Sequence, residues 1–216
     1  MPPRSRLPQT ETNRLESFSD GVFAVAITLL ALNLGLPSGT KPDKANTLTH
    51  ALLDQWPVYL AYALSFLTIL IMWLNHHTLF RLIRRSDDIF MLLNGVLLLI
   101  ITTIPFVTNL LATYLLQPDR KVALVVYSGA SLLMAVTYNR MWAYASHDGR
   151  LLDAAADKLM VRGISRQYAF GPFLYLTALG VAFLNADVSL VVNIALAVFF
   201  ALPSVVTRAI IPTAMS

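Results

Sequence analysis

Six long apolar segments limit what this chain can fold into more than any other feature. They fall at about residues 15–36, 56–80, 89–116, 121–144, 167–185 and 188–211. A transmembrane helix needs about 20 predominantly apolar residues, so each segment is long enough to cross a bilayer. With 56% hydrophobic and 13% charged residues, the 216-residue chain leaves no room for a separate soluble domain beside six spans. The sequence therefore predicts one all-α integral membrane domain over residues 1–216.

The basic residues lie between the apolar segments and indicate the topology. If the N-terminus is inside, twelve of the sixteen Lys and Arg residues fall in inner segments and four in outer loops. Lys and Arg accumulate on the cytoplasmic side of membrane proteins. We therefore expect six spans with both termini cytoplasmic, and we attribute the net charge of +4 to topology rather than to nucleic-acid binding. A charged segment at about 146–166 includes a turn at Asp148-Gly149 and a predicted short helix at 151–161.

The first span begins with a polar segment. Arg14, Glu16, Ser17, Ser19 and Asp20 precede a run that is apolar from residue 22 to residue 36 apart from a Thr, an Asn and a Gly. An ionisable side chain within a span is costly unless it faces protein or water. We therefore expect the polar segment to contact other helices or other subunits.

The apolar part of the same span contains a narrow stripe. Val25, Leu29 and Leu32 are spaced at i, i+4 and i+7, and Thr28 lies one step to the side. Periodicity has no contrast in a helix that is apolar on every face. The stripe alone therefore does not distinguish a functional face from a lipid-facing one.

The second span carries Trp73, His76 and His77 near its inner end. Adjacent residues on a helix point about 100° apart, and a helical metal site needs histidines at i and i+4, so no metal site is predicted. We expect one of the two histidines to lie against Asp20, although an interfacial histidine facing headgroups is an alternative.

Several signatures of other functions are missing from the sequence. There is no TVGYG-type run for a carbonyl filter, no Walker motif, no Gly-rich nucleotide loop and no regular repeat of Arg at every third position. No nucleophile–base arrangement is evident. The sequence therefore predicts neither an enzyme nor a bound cofactor.

The head of the first span resembles a known family. Arg14-x-x-x-Phe18-Ser19-Asp20 matches the RxxxFSD signature of the transmembrane protein 175 family of potassium channels, and residues 21–30 resemble the prokaryotic version of that helix. The paired histidines and the six-span layout are also similar to the bacterial members. The motif occurs once here, and a single unit implies a homotetramer in the prokaryotic plasma membrane.

The resemblance implies roles for individual residues. The first helices of four subunits would line a pore for K⁺, with the constriction and selectivity at Val25, Thr28, Leu29 and Leu32. Val25 stands where the family has an isoleucine. The remaining residues would form a structural polar network around that helix: Arg14, Phe18, Ser19, Asp20, Trp73, His76 and His77.

Two other functions remain open from the residues alone. The chain could be a proton-coupled secondary transporter, or a proton-permeable channel, in which Asp20 and His76 or His77 titrate. It could also be a membrane protein that binds a partner without transporting anything.

Overall fold

The computed structural model describes residues 9–35 and 48–210, which form seven α-helices. They are α1 (Gln9–Ala31), α2 (Leu48–Asp54), α3 (Trp56–Leu82), α4 (Asp88–Tyr114), α5 (Arg120–Ser146), α6 (Lys158–Leu184) and α7 (Ala186–Ile210), with a 3-10 helix at His147–Gly149 after α5. The chain termini at residues 1–8 and 211–216, and the predicted outer loop at residues 37–47, lie outside the described residues.

Four of the described helices are long and apolar enough to cross a membrane. They are α3, α4, α5 with its 3-10 extension, and α6. A shorter apolar stretch, Ala186–Leu202, lies in α7. The predicted all-α fold with several membrane-crossing helices is therefore confirmed.

The helices pack around one main core. Among the described elements, α5 packs against α4 and α6, α3 packs against α4 and α7, and α1 packs against α3 and α4. The core joins Phe23 and Leu30 of α1 to Ile69 of α3, Leu97 of α4 and Met134 of α5. This arrangement places one face of α1 against the bundle and leaves the other without a neighbour among the described residues.

The segment between α5 and α6 differs from the sequence prediction. Residues 150–157 are not helical, and α6 begins at Lys158, about nine residues earlier than the predicted fifth span. Asp157 starts the helix, since its carboxylate accepts a hydrogen bond from the Leu159 N–H at 2.8 Å. Upstream, the Leu151 carbonyl accepts from the Arg84 N–H, and the Asp153 N–H donates to the Leu82 carbonyl. The predicted helix at 151–161 is therefore wrong for residues 151–157, where backbone groups bond to the end of α3 instead, whereas residues 158–161 form the start of α6.

Candidate pore helix and its polar network

Helix α1 has a packed face and an exposed face. Ser19, Phe23, Ala26 and Leu30 are buried and repeat every three or four residues, which is the spacing of one helical face. Of the four predicted pore residues, Val25, Thr28 and Leu29 lie on the other side of the helix, and Leu32 lies in the turn just after the helix ends at Ala31. Val25 is 56% exposed, Leu29 40% and Leu32 76%, and Thr28 is also exposed.

From residue 18 to residue 32, the exposed face is apolar apart from Thr28. The Thr28 hydroxyl donates to the Val25 carbonyl one turn earlier, at 2.9 Å. Its proton is thereby used within the helix, and its oxygen remains an acceptor directed outward. The face can therefore present apolar side chains and one hydroxyl oxygen per chain to whatever it contacts.

A chain of directed hydrogen bonds crosses the packed face of α1. The Ser19 hydroxyl donates to the Leu15 carbonyl at 2.8 Å, so its oxygen is free to accept. The Asn94 amide of α4 donates to that oxygen at 2.9 Å. The Asn94 amide oxygen lies 2.9 Å from Nε2 of His76. Because that oxygen can only accept, Nε2 of His76 carries the proton.

His76 fills a fully buried site between α1, α3 and α4. Its ring stacks on Phe80 with centroids 4.5 Å apart and is tilted against Phe23 at 5.3 Å. Its Nδ1 atom has no hydrogen-bond partner within the described chain. His76 therefore contributes one donor to the network and otherwise packs as an aromatic side chain.

The two carboxylates of the α1 head bind α3 at successive turns. The Trp73 indole N–H donates to Asp20 at 2.9 Å, and His77 Nδ1 lies 3.0 Å from the Glu16 carboxylate. Trp73 and His77 also stack on each other, with centroids 6.2 Å apart. Glu16 lies one helical turn before Asp20 on α1, and His77 lies one turn after Trp73 on α3. The two helices therefore contact each other at two successive turns, with their chains running in opposite directions.

This register differs from the expected contact between Asp20 and a histidine. Asp20 lies level with Trp73, and the histidine one turn further along α3 meets Glu16 instead. The i, i+4 spacing of Glu16 and Asp20, together with the same spacing of Trp73 and His77, could have predicted this arrangement from the sequence.

The structure brings together five of the seven predicted network residues. Arg14 and Phe18 are exposed, and Arg14 makes no hydrogen bond or ion pair within the described residues. Asn94 belongs to the network but was missed, and Glu16 belongs to it although it was named only as part of the polar segment. Asn94 is an isolated amide in an apolar span, and an amide buried there needs a partner.

A second contact lies just after the C-terminal end of α1. The Asn33 side chain donates to the Pro105 carbonyl of α4 at 3.1 Å and accepts from the Asn109 amide at 3.3 Å. Helix α1 is therefore tied to its neighbours at both ends. Within residues 9–35 and 48–210 there is no cluster of three or more His, Asp or Glu side chains that could hold a metal ion.

This combination defines a helical membrane protein in which one helix keeps a free apolar face. A family profile described as "Endosomal/lysosomal potassium channel TMEM175" matches residues 14–105. The chain belongs to the TMEM175 family, since it is 46% identical over 196 residues to a potassium channel of Chamaesiphon minutus, covering 91% of this chain and 96% of that one.

Other relatives and a solved structure agree with this assignment. A potassium channel of Streptomyces collinus is 40% identical over 192 residues, covering 88% of this chain and 91% of that protein. The crystal structure of a lysosomal potassium-selective channel TMEM175 homolog from Chamaesiphon minutus superimposes with a TM-score of 0.83 and 44% identity. It covers 91% of this chain and 99% of that chain.

Proposed function

We propose that this chain is one subunit of a homotetrameric potassium channel that conducts K⁺ passively across the cell membrane. The observation that carries the proposal is the free apolar face of α1, opposite a face that is packed and hydrogen-bonded. One helix encloses nothing, so a pore on this face requires further copies of the chain. The bacterial relatives that match most of the chain are named potassium channels.

The proposed topology has six spans with both termini cytoplasmic. Helices α1 and α7 would complete the set begun by α3, α4, α5 and α6. Helix α1 carries carboxylates, but Glu16 and Asp20 bind side chains of α3. Pairing of this kind lowers the cost of placing an ionisable group at membrane depth.

In the proposed pore, Leu29 and Leu32 form the apolar constriction. Val25 adds a third apolar ring, and Thr28 adds a ring of hydroxyl oxygens that can replace part of the hydration shell of the ion. Apolar constrictions can gate by excluding water, so conduction requires the ring to widen or α1 to rotate. The contacts of Asp20, Ser19 and Asn33 would set the rotation of α1 that presents these rings.

The proposal is tested by single-channel recording of Leu29→Ala in planar bilayers. A smaller side chain widens the constriction, so we expect a larger conductance and a lower K⁺/Na⁺ permeability ratio. Leu133→Ala is the matched control. Leu133 is an exposed leucine of α5, so this substitution removes the same side-chain volume at a position away from α1. Unchanged conductance and selectivity in Leu29→Ala would refute the pore assignment.

A proton-coupled transporter is the second candidate, favoured by the titratable groups at the inner end of α1 and α3. Glu16 and His77 form one pair. Asp20 bonds Trp73, and His76 bonds the neutral amide of Asn94. Among the described residues, no hydrogen bond joins Asp20 to either histidine, which argues against a contiguous relay. Currents that rise linearly with driving force, far above transporter turnover, would exclude it; absence of K⁺ flux into liposomes would exclude both candidates.

A further inference from the structure

A groove of about 700 Å³ lies where the end of α3, the end of α5 and the start of α6 meet. This groove is separate from α1 and its polar network. Its charged lining side chains are Arg84, Arg85, Asp148, Asp153, Lys158 and Arg162. We call this site the basic groove.

The walls of the basic groove are held by backbone hydrogen bonds and by the core. Leu151 is buried, and its carbonyl accepts from the Arg84 N–H at 2.9 Å and the Arg85 N–H at 3.4 Å. The Asp153 N–H donates to the Leu82 carbonyl at 2.9 Å. The groove is therefore part of the packed structure, because the segment that forms one wall is bonded to the helix that forms another.

The charges within the basic groove are not balanced. Arg84 forms an ion pair with Asp153, whose carboxylate also accepts from the Ala155 N–H at 3.0 Å. Asp148 pairs with His147 at 3.1 Å. Arg85, Lys158 and Arg162 make no ion pair within the described part of the chain. Three cationic side chains thus line one cavity without a carboxylate partner.

The groove also borders an apolar surface. Leu159 and Met160 are exposed on the first turn of α6, while Lys158 and Arg162, four residues apart on the same helix, line the groove. Under the proposed topology these residues lie at the cytoplasmic boundary of the membrane, where exposed apolar side chains contact lipid.

We propose that the basic groove binds the phosphate-bearing headgroup of an anionic phospholipid. Guanidinium groups match phosphate with two parallel N–H donors, and an ammonium adds a point charge. Clustered basic residues beside a span are attracted to anionic lipid. A soluble phosphate compound shares this chemistry, but the neighbouring Leu159 and Met160 favour a ligand that also carries acyl chains.

The test compares binding of short-chain phosphatidylglycerol and short-chain phosphatidylcholine to the full chain, purified in a neutral detergent at about 0.1 M salt. We expect wild type to prefer phosphatidylglycerol by at least about tenfold, since each basic side chain contributes about fivefold. Arg85→Gln combined with Arg162→Gln should remove most of that preference. Both side chains are exposed, and thermal unfolding of each variant checks that folding is retained.

The matched control combines Arg81→Gln with Arg140→Gln. It removes the same net charge from exposed arginines that do not line the groove. The proposal is overturned if wild type binds the two lipids equally, or if the control loses as much affinity as the groove variant. Inorganic pyrophosphate is the third probe: if it binds in the groove while phosphatidylglycerol shows no preference, the ligand is a soluble phosphate compound. These measurements require no ion flux, so their outcome is independent of the channel assignment.

Discussion

At the scale of single residues, the Asn94 side chain links α1 to α3 through two hydrogen bonds. Its amide nitrogen and its oxygen are both bonded to side chains from two other helices, α1 and α3, and it is fully buried. A buried polar group that loses its partner costs about 1–3 kcal/mol. Without Asn94, the His76 Nε2–H would be left unsatisfied, and the Ser19 hydroxyl would keep only its bond to the Leu15 carbonyl.

Asn94→Leu should destabilise the protein strongly. The leucine fills a similar volume but leaves the His76 Nε2–H without its acceptor and Ser19 without its donor. A loss of about 2–4 kcal/mol in the free energy of unfolding corresponds to a fall in Tm of roughly 5–10 °C for a chain of this size. Tryptophan fluorescence during thermal unfolding in detergent measures it.

Asn109→Leu is the control for this substitution. Asn109 is exposed, and its amide makes a single longer bond of 3.3 Å to Asn33. We expect a Tm change of at most about 2 °C, because an exposed hydrogen bond contributes little net stability. Equal shifts in the two variants would contradict the assigned role of the Asn94 amide.

At the scale of elements, the sequence pattern did not reveal which face of α1 is packed, and it wrongly predicted a helix at 151–157. The apolar stripe of α1 has no contrast with the rest of that helix, and only its packing against α3 and α4 separates the two faces. The segment at 150–157 has an Ala-rich composition typical of helices. Backbone bonds to α3 override that propensity.

The attachment of this segment should depend on the charge of Asp153. The Ala155 N–H, and then the Arg84 guanidinium, hold the pKa of the Asp153 carboxyl below its usual value. A lowered folded-state pKa stabilises the attached form above the unfolded pKa of about 3.9, and the contribution is lost as pH falls through the folded value. Protection of the segment should therefore be constant from pH 7 to pH 5 and fall below about pH 4.

Hydrogen–deuterium exchange of residues 150–157, relative to intrinsic rates, measures this protection. Asp153→Asn should raise exchange at pH 7 and remove the loss of protection at acidic pH. Asp148→Asn is the matched control. Asp148 is exposed, pairs with His147, and has a positive φ of 52° that asparagine also tolerates. If Asp153→Asn exchanged at the same rate as wild type at pH 7, the Asp153 carboxylate would not be what holds the segment.

At the scale of the whole molecule, large apolar side chains remain exposed on many of the described helices, among them α1, α4, α6 and α7. The proposed tetramer uses the α1 face, which would bring Leu32 of neighbouring subunits close together around one axis.

Cysteine cross-linking tests this assembly directly, since the chain contains no cysteine. A disulfide requires Cα atoms within about 7 Å. Under mild oxidation, Leu32→Cys should therefore give disulfide-linked dimers on non-reducing gels, because four α1 helices converge on the axis. Leu133→Cys, exposed on α5, should remain monomeric on the same gels. If Leu133→Cys formed dimers and Leu32→Cys did not, the subunits would meet through α5, and the proposed contact through α1 would be wrong.

The class of this protein could be predicted from sequence because hydropathy is a property of composition along the chain. Long apolar segments, short loops and few charges leave a helical membrane bundle as the only arrangement that satisfies the backbone in lipid. The resemblance of Arg14–Asp20 to a family signature could likewise be recognised, because it is a local pattern in the sequence. The placement of Val25, Thr28 and Leu29 on one side of α1 also follows from helical spacing.

Tertiary structure alone decided which polar groups meet. The pairing of Asp20 with Trp73 and of Glu16 with His77, and the insertion of Asn94 between Ser19 and His76, depend on the axial register of three helices. A shift of one helical turn would exchange these partners without changing the hydropathy of any segment. Apolar length determines that a helix spans the membrane, but its register is set by side-chain packing between helices, which residue spacing within one helix does not encode.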